Sequence, residues 1–136
     1  QSQSTAGVSA VGQAAAVGAL NGPQEFLSYR AANLQRRRDI LYEKLNATPG
    51  LSCDLPEGAM YIFCSCAGII GKSVSYDRII ETDTDFTMYL LEKLGVAVVQ
   101  GEAYGLSPYF RASFVAPEED LVRGGDLIQE ACAALF

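Results

Sequence analysis

The sequence predicts a mixed α/β domain with α+β character, in which helices cover a small mixed or antiparallel sheet. Residues 23–46 carry apolar side chains at seven-residue spacing, which is typical of a long helix with one buried side. Residues 59–64 combine aromatic and β-branched residues, which indicates a strand. Residues 82–95 and 117–135 return to helical spacing, so helices and strands are mixed along the chain.

Two helices are predicted at the N-terminus. Residues 4–20 form an alanine-rich helix whose small side chains let another backbone approach closely, so we expect it to pack against a part of the protein outside this chain. Residues 21–23 separate it from the long second helix, and the Pro-Gly pair within residues 48–50 ends that helix. The apolar stripe of the first helix consists of Val8, Val11, Ala15 and Ala19.

The middle of the chain predicts two strands followed by a loop. Residues 51–55 form the first strand, and residues 59–64 form the second, which is apolar on both faces and therefore central in the sheet. Residues 67–81 are irregular and predict an exposed loop. The triplet Gly71-Lys72-Ser73 is similar to the end of a phosphate-binding loop, but Cys66 occupies the position where that motif needs glycine, which excludes nucleotide triphosphate binding.

The third helix has signals at both of its ends. Thr82 and Asp85 have the spacing of a capping box, and Gly95 stands where a left-handed C-cap is needed. Residues 96–99 then predict a short buried strand. A glycine pair inside the last helix, Gly124-Gly125, costs roughly a kcal/mol per glycine, and nothing in the sequence explains it.

The stretch from Gly101 to Ala116 predicts a glycine-punctuated loop followed by a strand that contains a single arginine, Arg111. A guanidinium stays charged at any working pH and presents its N–H donors in a fixed fork that matches a carboxylate bidentately. The strand itself offers no acidic partner. On spacing alone, Arg111 faces either solvent or an acidic side chain elsewhere in the fold.

The composition excludes several classes of function. The chain contains no histidine, so it cannot assemble a Ser-His or Cys-His nucleophilic dyad, and it lacks the commonest metal ligand. Its net charge of −6 argues against a nucleic-acid or anionic-membrane surface. No apolar run is long enough to cross a bilayer and no signal peptide is visible, so we expect a cytoplasmic location.

Two further groups of residues are interpreted as structural. Cys53, Cys64, Cys66 and Cys132 lack the spacing of a zinc site and are predicted to be buried reduced thiols, so we expect no metal. The basic run at residues 36–38 spreads over most of a helical turn and is predicted to lie on solvated helix faces.

Five sequence motifs follow one another along almost the whole chain. They are Gln1-Ser2-Gln3-Ser4-Thr5 with Gln13-Ala14-Ala15-Ala16-Val17 and Leu20-Asn21-Gly22-Pro23; Pro56-Glu57-Gly58-Ala59-Met60-Tyr61-Ile62-Phe63; Asp85-Phe86 with Leu90-Leu91-Glu92 and Gly95-Val96-Ala97-Val98-Val99; Gly101-Glu102-Ala103-Tyr104-Gly105; and Phe110-Arg111-Ala112-Ser113-Phe114. In this order the chain resembles the C-terminal small domain of class I/II aminotransferases, the fold-type-I pyridoxal-phosphate enzymes. Within that family it looks most like the bacterial-type aspartate aminotransferases.

The resemblance implies a role for one residue of this chain. The arginine of the last motif binds the substrate's α-carboxylate in that family, and only Arg111 matches it here. Tyr104 stands where the family usually has phenylalanine, and we expect it to pack in the loop near the site. The parent enzyme would exchange an amino group between an amino acid and a 2-oxo acid with pyridoxal 5′-phosphate as cofactor, commonly as a homodimer.

The resemblance also implies what this chain lacks. The family's Schiff-base lysine belongs to a large cofactor-binding domain upstream, and Lys44, Lys72 and Lys93 stand in other contexts. We therefore expect residues 1–136 to be one small domain, with residues 1–21 as an interdomain helix, that holds no cofactor and has no catalytic residue of its own. Alone it would be inactive.

Two other classes of function stay open on the sequence. In the first class, the chain is a stand-alone α/β module in which Arg111 binds an acidic small molecule without catalysis. In the second class, the chain is a purely structural or interaction domain, and replacing Arg111 by lysine leaves its function intact.

Overall fold

The computed structural model describes residues 7–76 and 78–136, and the chain divides into two compact units. The first unit comprises residues 1–32 and the second residues 33–136. None of the helices within the described residues combines the length and the apolar character needed to cross a membrane.

The first unit contains α1 (Ala10–Asn21) and the start of α2 (Glu25–Asn46). Ser9 caps α1, since its hydroxyl accepts a hydrogen bond of 3.2 Å from the amide of Gly12. The helix therefore begins later than the predicted residue 4, and residues 4–6 lie outside the described part of the chain. No residue of α1 is buried, and Val11 and Leu20 are 81% and 79% exposed.

The second unit confirms the predicted fold class of helices over a small antiparallel sheet. Four strands pair antiparallel in the order β1-β2-β6-β5, and β3 and β4 form a separate hairpin. The elements after α2 are β1 (Ser52–Cys53), β2 (Tyr61–Ser65), β3 (Ser73–Ser75), β4 (Arg78–Ile79), α3 (Asp83–Leu94), β5 (Val99–Gln100), a 3₁₀ helix (Gly101–Tyr104), β6 (Tyr109–Ser113) and α4 (Glu118–Ala133).

The two inner strands, β2 and β6, give the sheet one buried and one open face. Side chains alternate along each strand, so residues opposite one another across the pair share a face. The buried face consists of Ile62, Cys64, Phe110 and Ala112, and the open face of Tyr61, Phe63, Ser65, Tyr109, Arg111 and Ser113. The helices add apolar residues to the core on the buried face, and Phe86 of α3 meets Phe110 edge-to-face at 5.7 Å.

The predicted loop at residues 67–81 is instead partly a hairpin. Ile69 and Ile80 are buried in the core, which fixes both ends of the segment. The backbone of Ser73 exchanges two hydrogen bonds, of 2.7 and 3.2 Å, with that of Phe136. This pairing joins residues far apart in the sequence, so local composition carries no sign of it.

Two predicted strand features also differ from the structure. The amide of Val96 donates to the carbonyl of Leu90 at 3.2 Å beside the left-handed Gly95, so the helix end extends into the predicted strand and β5 begins only at Val99. Strand β2 is an inner strand, as predicted, but its second face is not fully covered, because Tyr61 is exposed.

The prediction that the arginine run at residues 36–38 lies on solvated helix faces is confirmed for Arg36, which is exposed, and wrong for Arg37 and Arg38, which are half-buried. Each arginine reaches from α2 to a different part of the second unit. The three contacts join Arg36 to the carboxylate of Glu118 at 3.4 Å, Arg37 to the carbonyl of Val115 at 2.7 Å and Arg38 to the carbonyl of Pro56 at 3.0 Å.

The crossing of α2 and α4 explains one of the paired glycines. A Cβ atom on Gly125 would lie 2.8 Å from Cβ of Lys44, so only glycine allows this close approach. The contact is reinforced by an ion pair of Lys44 with Asp126 and by a hydrogen bond of 3.1 Å from the Gln129 amide to the Lys44 carbonyl. A Cβ atom on Gly124 would meet nothing within 4 Å.

All four cysteines are free thiols, and Cys64, Cys66 and Cys132 are buried as predicted, whereas Cys53 is half-buried. Burial raises the pKa of Cys66 and Cys132 to about 12. Cys53 and Cys64 lie opposite each other on β1 and β2. Their mutual hydrogen bond lowers the pKa of Cys53 and raises that of Cys64, and Asn46 also donates to the sulfur of Cys53.

We predict that iodoacetamide at pH 8 modifies the folded chain only at Cys53. Thiolate is the reactive form, and a pKa of about 12 leaves roughly one in 10,000 molecules ionised at Cys66 or Cys132. Because an unfolded Cys66 ionises above its ordinary pKa of 9.0 and the folded one does not until about 12, the free energy of unfolding should fall as the pH rises from 9.0 toward 12. Peptide mass mapping measures the modification, with urea-unfolded chain as the control; rapid labelling of folded Cys132 would contradict the prediction.

We predict opposite effects of alanine at the two paired glycines. Gly125→Ala should lower the free energy of unfolding by about 1–3 kcal/mol, because the new methyl group overlaps the Lys44 side chain. Gly124→Ala should raise it by up to about 1 kcal/mol, since alanine favours the helix and has open space there. Urea unfolding of both variants measures the difference, and two changes of the same sign would refute the packing explanation.

Candidate functional site

Arg111 lies at the middle of β6, between β2 and β5. Its register partners are Phe63 on β2 and Val99 on β5. Because Phe110 and Ala112 point into the core, the alternation of the strand directs Arg111 to the open face, where it is half-buried. The charged side chain of Arg111 is therefore held on an inner strand of the four-stranded sheet rather than on an edge strand.

Two tyrosine rings lie against the guanidinium of Arg111. Its central carbon is 4.1 Å from the ring centroid of Tyr61 and 4.8 Å from that of Tyr104. Both distances are within the range of a cation–π contact, which stabilises a cation by about 0.5–2 kcal/mol depending on its solvation. Tyr61 comes from β2 and Tyr104 from the 3₁₀ helix, so separate parts of the chain converge on Arg111.

Two further aromatic residues extend this surface from Tyr104. Phe63 meets Tyr104 edge-to-face at 6.0 Å and stacks on Tyr109 at 5.3 Å with an interplanar angle of 8°. The open face of the sheet is therefore an aromatic surface around one cation. We call Tyr61, Phe63, Tyr104, Tyr109 and Arg111 the aromatic–arginine cluster.

The acidic partner considered for Arg111 is not found in the described part of the chain. The ion pairs formed there are Arg36–Glu118, Arg38–Asp39, Lys44–Asp126 and Arg78–Glu92, and Arg111 takes part in none of them. The guanidinium is thus partly withdrawn from water by aromatic rings without a carboxylate to balance its charge. Such a cation can bind an anionic ligand through the N–H groups that the rings do not use.

A compact loop brings Tyr104 to the cluster. A Cβ atom on Gly101 would lie 2.1 Å from the carbonyl oxygen of Leu106, so the loop can close only with glycine at this position. The amide of Leu106 donates to the carbonyl of Gly101 at 3.1 Å, and Gly105 adopts a left-handed conformation with φ of 74°. The sequence predicted this glycine-punctuated loop, and the structure confirms it.

The start of α3 contacts the same loop. Asp83 is 1% exposed, and its Oδ2 atom accepts hydrogen bonds from the Glu102 amide, the Ser107 hydroxyl and the Tyr109 amide at 3.1, 2.8 and 3.4 Å. The predicted capping box between Thr82 and Asp85 is present, and its hydrogen bond from the Thr82 side chain lowers the pKa of Asp85.

The three lysines of the chain lie in three different contexts. Lys44 is ion-paired with Asp126 at the end of α2, Lys72 precedes β3, and Lys93 is exposed in the last turn of α3. None of these lysines stands on a strand of the sheet that carries Arg111. Within residues 7–76 and 78–136, no group of three or more His, Cys, Asp or Glu side chains is arranged to hold a metal ion.

Sequence reasoning anticipated two residues of this arrangement and missed the roles of two others. It singled out Arg111 and expected Tyr104 to pack nearby. It treated Tyr61 only as a strand residue. The two-residue spacing of Tyr61 and Phe63 places both side chains on one face of the strand, but only the register with the neighbouring strand shows that Arg111 shares that face. It treated Asp83 only as an acid at a helix start, and no local signal distinguishes a buried acid from an exposed one there.

The sequence and the fold match known proteins over nearly the full chain. The family model for Aminotransferase class I and II matches residues 1–124. Aspartate aminotransferase of Rhizobium meliloti (strain 1021) is 51% identical over 135 residues, which cover 99% of this chain and 33% of that protein. A probable aspartate/prephenate aminotransferase of Rhizobium leguminosarum bv. phaseoli is 46% identical over 134 residues, which cover 98% and 34%. The chain thus spans about a third of the length of these curated relatives.

Solved structures give the same result. The crystal structure of aspartate aminotransferase from Rhizobium meliloti matches 99% of this chain and 34% of its own with a TM-score of 0.91 and 50% identity. Alanine aminotransferase from Pyrococcus furiosus matches 88% of this chain and 28% of its own with a TM-score of 0.75 and 31% identity. The matched residues include the strands and the loop that form the aromatic–arginine cluster, and the chain belongs to the class I and II aminotransferase family.

Proposed function

We propose that this chain is the C-terminal domain of an aspartate-aminotransferase-like enzyme and that Arg111 binds the α-carboxylate of its substrate. The parent protein, by which we mean a chain of the relatives' length that contains this sequence, would exchange an amino group between an amino acid and a 2-oxo acid. The observation that carries the proposal is the half-buried guanidinium of Arg111, held by two tyrosine rings and unpaired with any acid among the described residues.

The physical fit between Arg111 and a carboxylate supports this role. A carboxylate accepts two parallel hydrogen bonds from a guanidinium fork, and such charge-assisted bonds are roughly twice as strong as neutral ones. Contacts with Tyr61 and Tyr104 restrict the motion of the arginine before a ligand arrives, so less side-chain entropy is lost on binding. The open face therefore favours a flat anion that approaches the free edge of the guanidinium.

Arg111 would orient the substrate rather than transfer protons. A guanidinium does not give up its proton at working pH, and this chain has no histidine to serve as a base. Fixing one end of an amino acid holds its amino group in a defined direction, which is the contribution of orientation to catalysis. The residues that carry out the proton transfers would then belong to another part of the parent protein.

Family membership implies that the parent protein uses pyridoxal 5′-phosphate, which supplies the electron sink for amino-group chemistry. The lysines described above do not fit a role in holding it, so the cofactor would be bound by a large domain outside this sequence. The parent would also form a homodimer, as is usual in the family. Because the relatives are named for aspartate or for aspartate and prephenate, acidic amino donors are the first to test.

We also infer that residues 1–21, which include helix α1, form an interdomain segment whose apolar side chains pack against that large domain. Helix α1 carries Val11, Val17 and Leu20, and Val8 lies just before it; each of these side chains is more than half exposed. Apolar residues spread around a helix with no buried side are unusual in a complete domain and indicate a missing partner.

In the 136-residue chain, we predict that amide hydrogens of α1 exchange with solvent at least about ten-fold faster than in the parent protein. The partner domain would bury the helix in the parent and suppress local opening. Hydrogen-exchange mass spectrometry compares the two proteins, and peptides from α3 serve as the control because they should exchange at similar rates in both. Strong protection of α1 in the 136-residue chain would argue against a missing partner.

Arg111→Lys in the parent protein should lower kcat/KM for the amino donor by about 10- to 100-fold, because lysine keeps the charge but loses one charge-assisted hydrogen bond. Steady-state assays with aspartate and a 2-oxo acid measure the loss. Arg123→Lys is the matched control, since Arg123 is exposed on α4, and its kcat/KM should not change.

The outcomes of these assays separate the classes of function. Unchanged kcat/KM in Arg111→Lys would refute the carboxylate role while leaving the aminotransferase assignment in place. If the parent protein transfers an amino group from none of the donors tested, the aminotransferase assignment is refuted. Carboxylate binding without transfer would instead support the stand-alone binding module.

A further inference from the structure

We propose that Asp83 is a positioning residue for the carboxylate site: it holds residues 101–109 in the conformation that places Tyr104 against Arg111. This inference rests on the proposed function, because it names a further residue on which the same site depends. Asp83 itself does not contact the guanidinium in our scheme and acts only through the loop.

The first step is that Asp83 binds the loop on both sides of Tyr104. Its Oδ2 atom accepts from the amide of Glu102 at 3.1 Å, two residues before Tyr104, and from the hydroxyl of Ser107 at 2.8 Å, three residues after it. The amide of Tyr109 adds a longer contact of 3.4 Å. One carboxylate oxygen therefore joins the two ends of the segment that carries the tyrosine.

The second step is that Asp83 is itself fixed to the core. It is 1% exposed at the first position of α3, where the helix dipole favours a negative charge. The same helix buries Phe86 and Leu90, and Phe86 packs on Phe110 of the strand that carries Arg111. A buried carboxylate is costly unless its oxygens accept hydrogen bonds, so the contacts to the loop are strongly preferred over their loss.

The third step is that the ring of Tyr104 is itself only partly packed. It is 48% exposed, and the aromatic contacts of its ring are those with Arg111 and Phe63. Without Asp83, a loop that contains Gly101 and Gly105 would sample other conformations, and Tyr104 would leave the guanidinium part of the time. Arg111 would then have to lose more side-chain freedom on binding a carboxylate, which weakens binding more than it slows the chemical step.

The main experiment is a double-mutant cycle in the parent protein. Asp83→Ala should lower kcat/KM for the amino donor by about 10-fold, mostly through KM, and Asp83→Asn should recover part of the loss because its amide keeps an oxygen acceptor. Asp83→Ala combined with Tyr104→Ala should lose no more than the larger single loss, because both act on the same contact. Additive losses would overturn the proposal.

A buried residue elsewhere on α3 serves as the control for stability. Thr87 is 5% exposed, and its hydroxyl donates a hydrogen bond within the helix, to the carbonyl of Thr84 at 3.0 Å. Thr87→Val should change kcat/KM less than about two-fold even where its loss of thermal stability matches that of Asp83→Asn. An equal fall of kcat/KM in Thr87→Val would show that Asp83 acts only through stability, which overturns its positioning role.

Hydrogen exchange gives a readout that does not require activity. Peptides that cover residues 101–110 should exchange faster in Asp83→Ala than in the unmodified protein, while peptides that cover residues 61–65 should not change. If the parent protein transfers no amino group, the proposed function fails, but this measurement still tests whether Asp83 holds the loop. If Asp83→Ala does not fold, Ser107→Ala removes one donor and should give a smaller change in the same peptides; unchanged exchange would overturn the proposal.

Discussion

The antiparallel pairing of β2 with β6 is the constraint on which the rest of the site depends. It sets Phe63 opposite Arg111 and, by alternation, sends Ile62, Cys64, Phe110 and Ala112 into the core. A shift of one residue in this register would bury the arginine and expose the apolar row, at a cost far beyond that of any single contact. The hydrophobic core thus fixes the direction of the functional cation, and the aromatic residues beside it follow from the same register.

The surroundings of that cation are arranged from three separate segments. Strand β2 contributes Tyr61, the 3₁₀ helix contributes Tyr104, and α3 contributes the buried carboxylate that the loop contacts. The rings withdraw the guanidinium from water without neutralising it. This differs from a structural ion pair such as Lys44–Asp126, in which both charges are satisfied within the fold. The contrast is the physical basis for treating Arg111 as a binding residue.

The features that sequence reasoning predicted are those encoded locally. The Thr82–Asp85 capping box, the left-handed Gly95 and the glycine-punctuated loop depend on residues a few positions apart, and each is present. The pairing of Ser73 with Phe136, the contact of Arg37 with Val115 and the burial of Asp83 join distant segments. Those features depend on the tertiary structure and leave no local pattern in the sequence. Periodicity and spacing could therefore identify Arg111 but not Asp83, whose hydrogen bonds hold the loop beside it.

Arg111 forms no ion pair with an acid in residues 7–76 and 78–136, and this affects how anions approach the surface around it. The chain carries a net charge of −6, so at long range it repels an anionic ligand, whereas close to the open face the uncompensated guanidinium attracts it. Added salt shortens the reach of both forces, to about 10 Å at 0.1 M ionic strength. Added salt screens the long-range repulsion before it screens the short-range attraction. The binding of small anions then depends on the guanidinium of Arg111 rather than on the net charge of the chain.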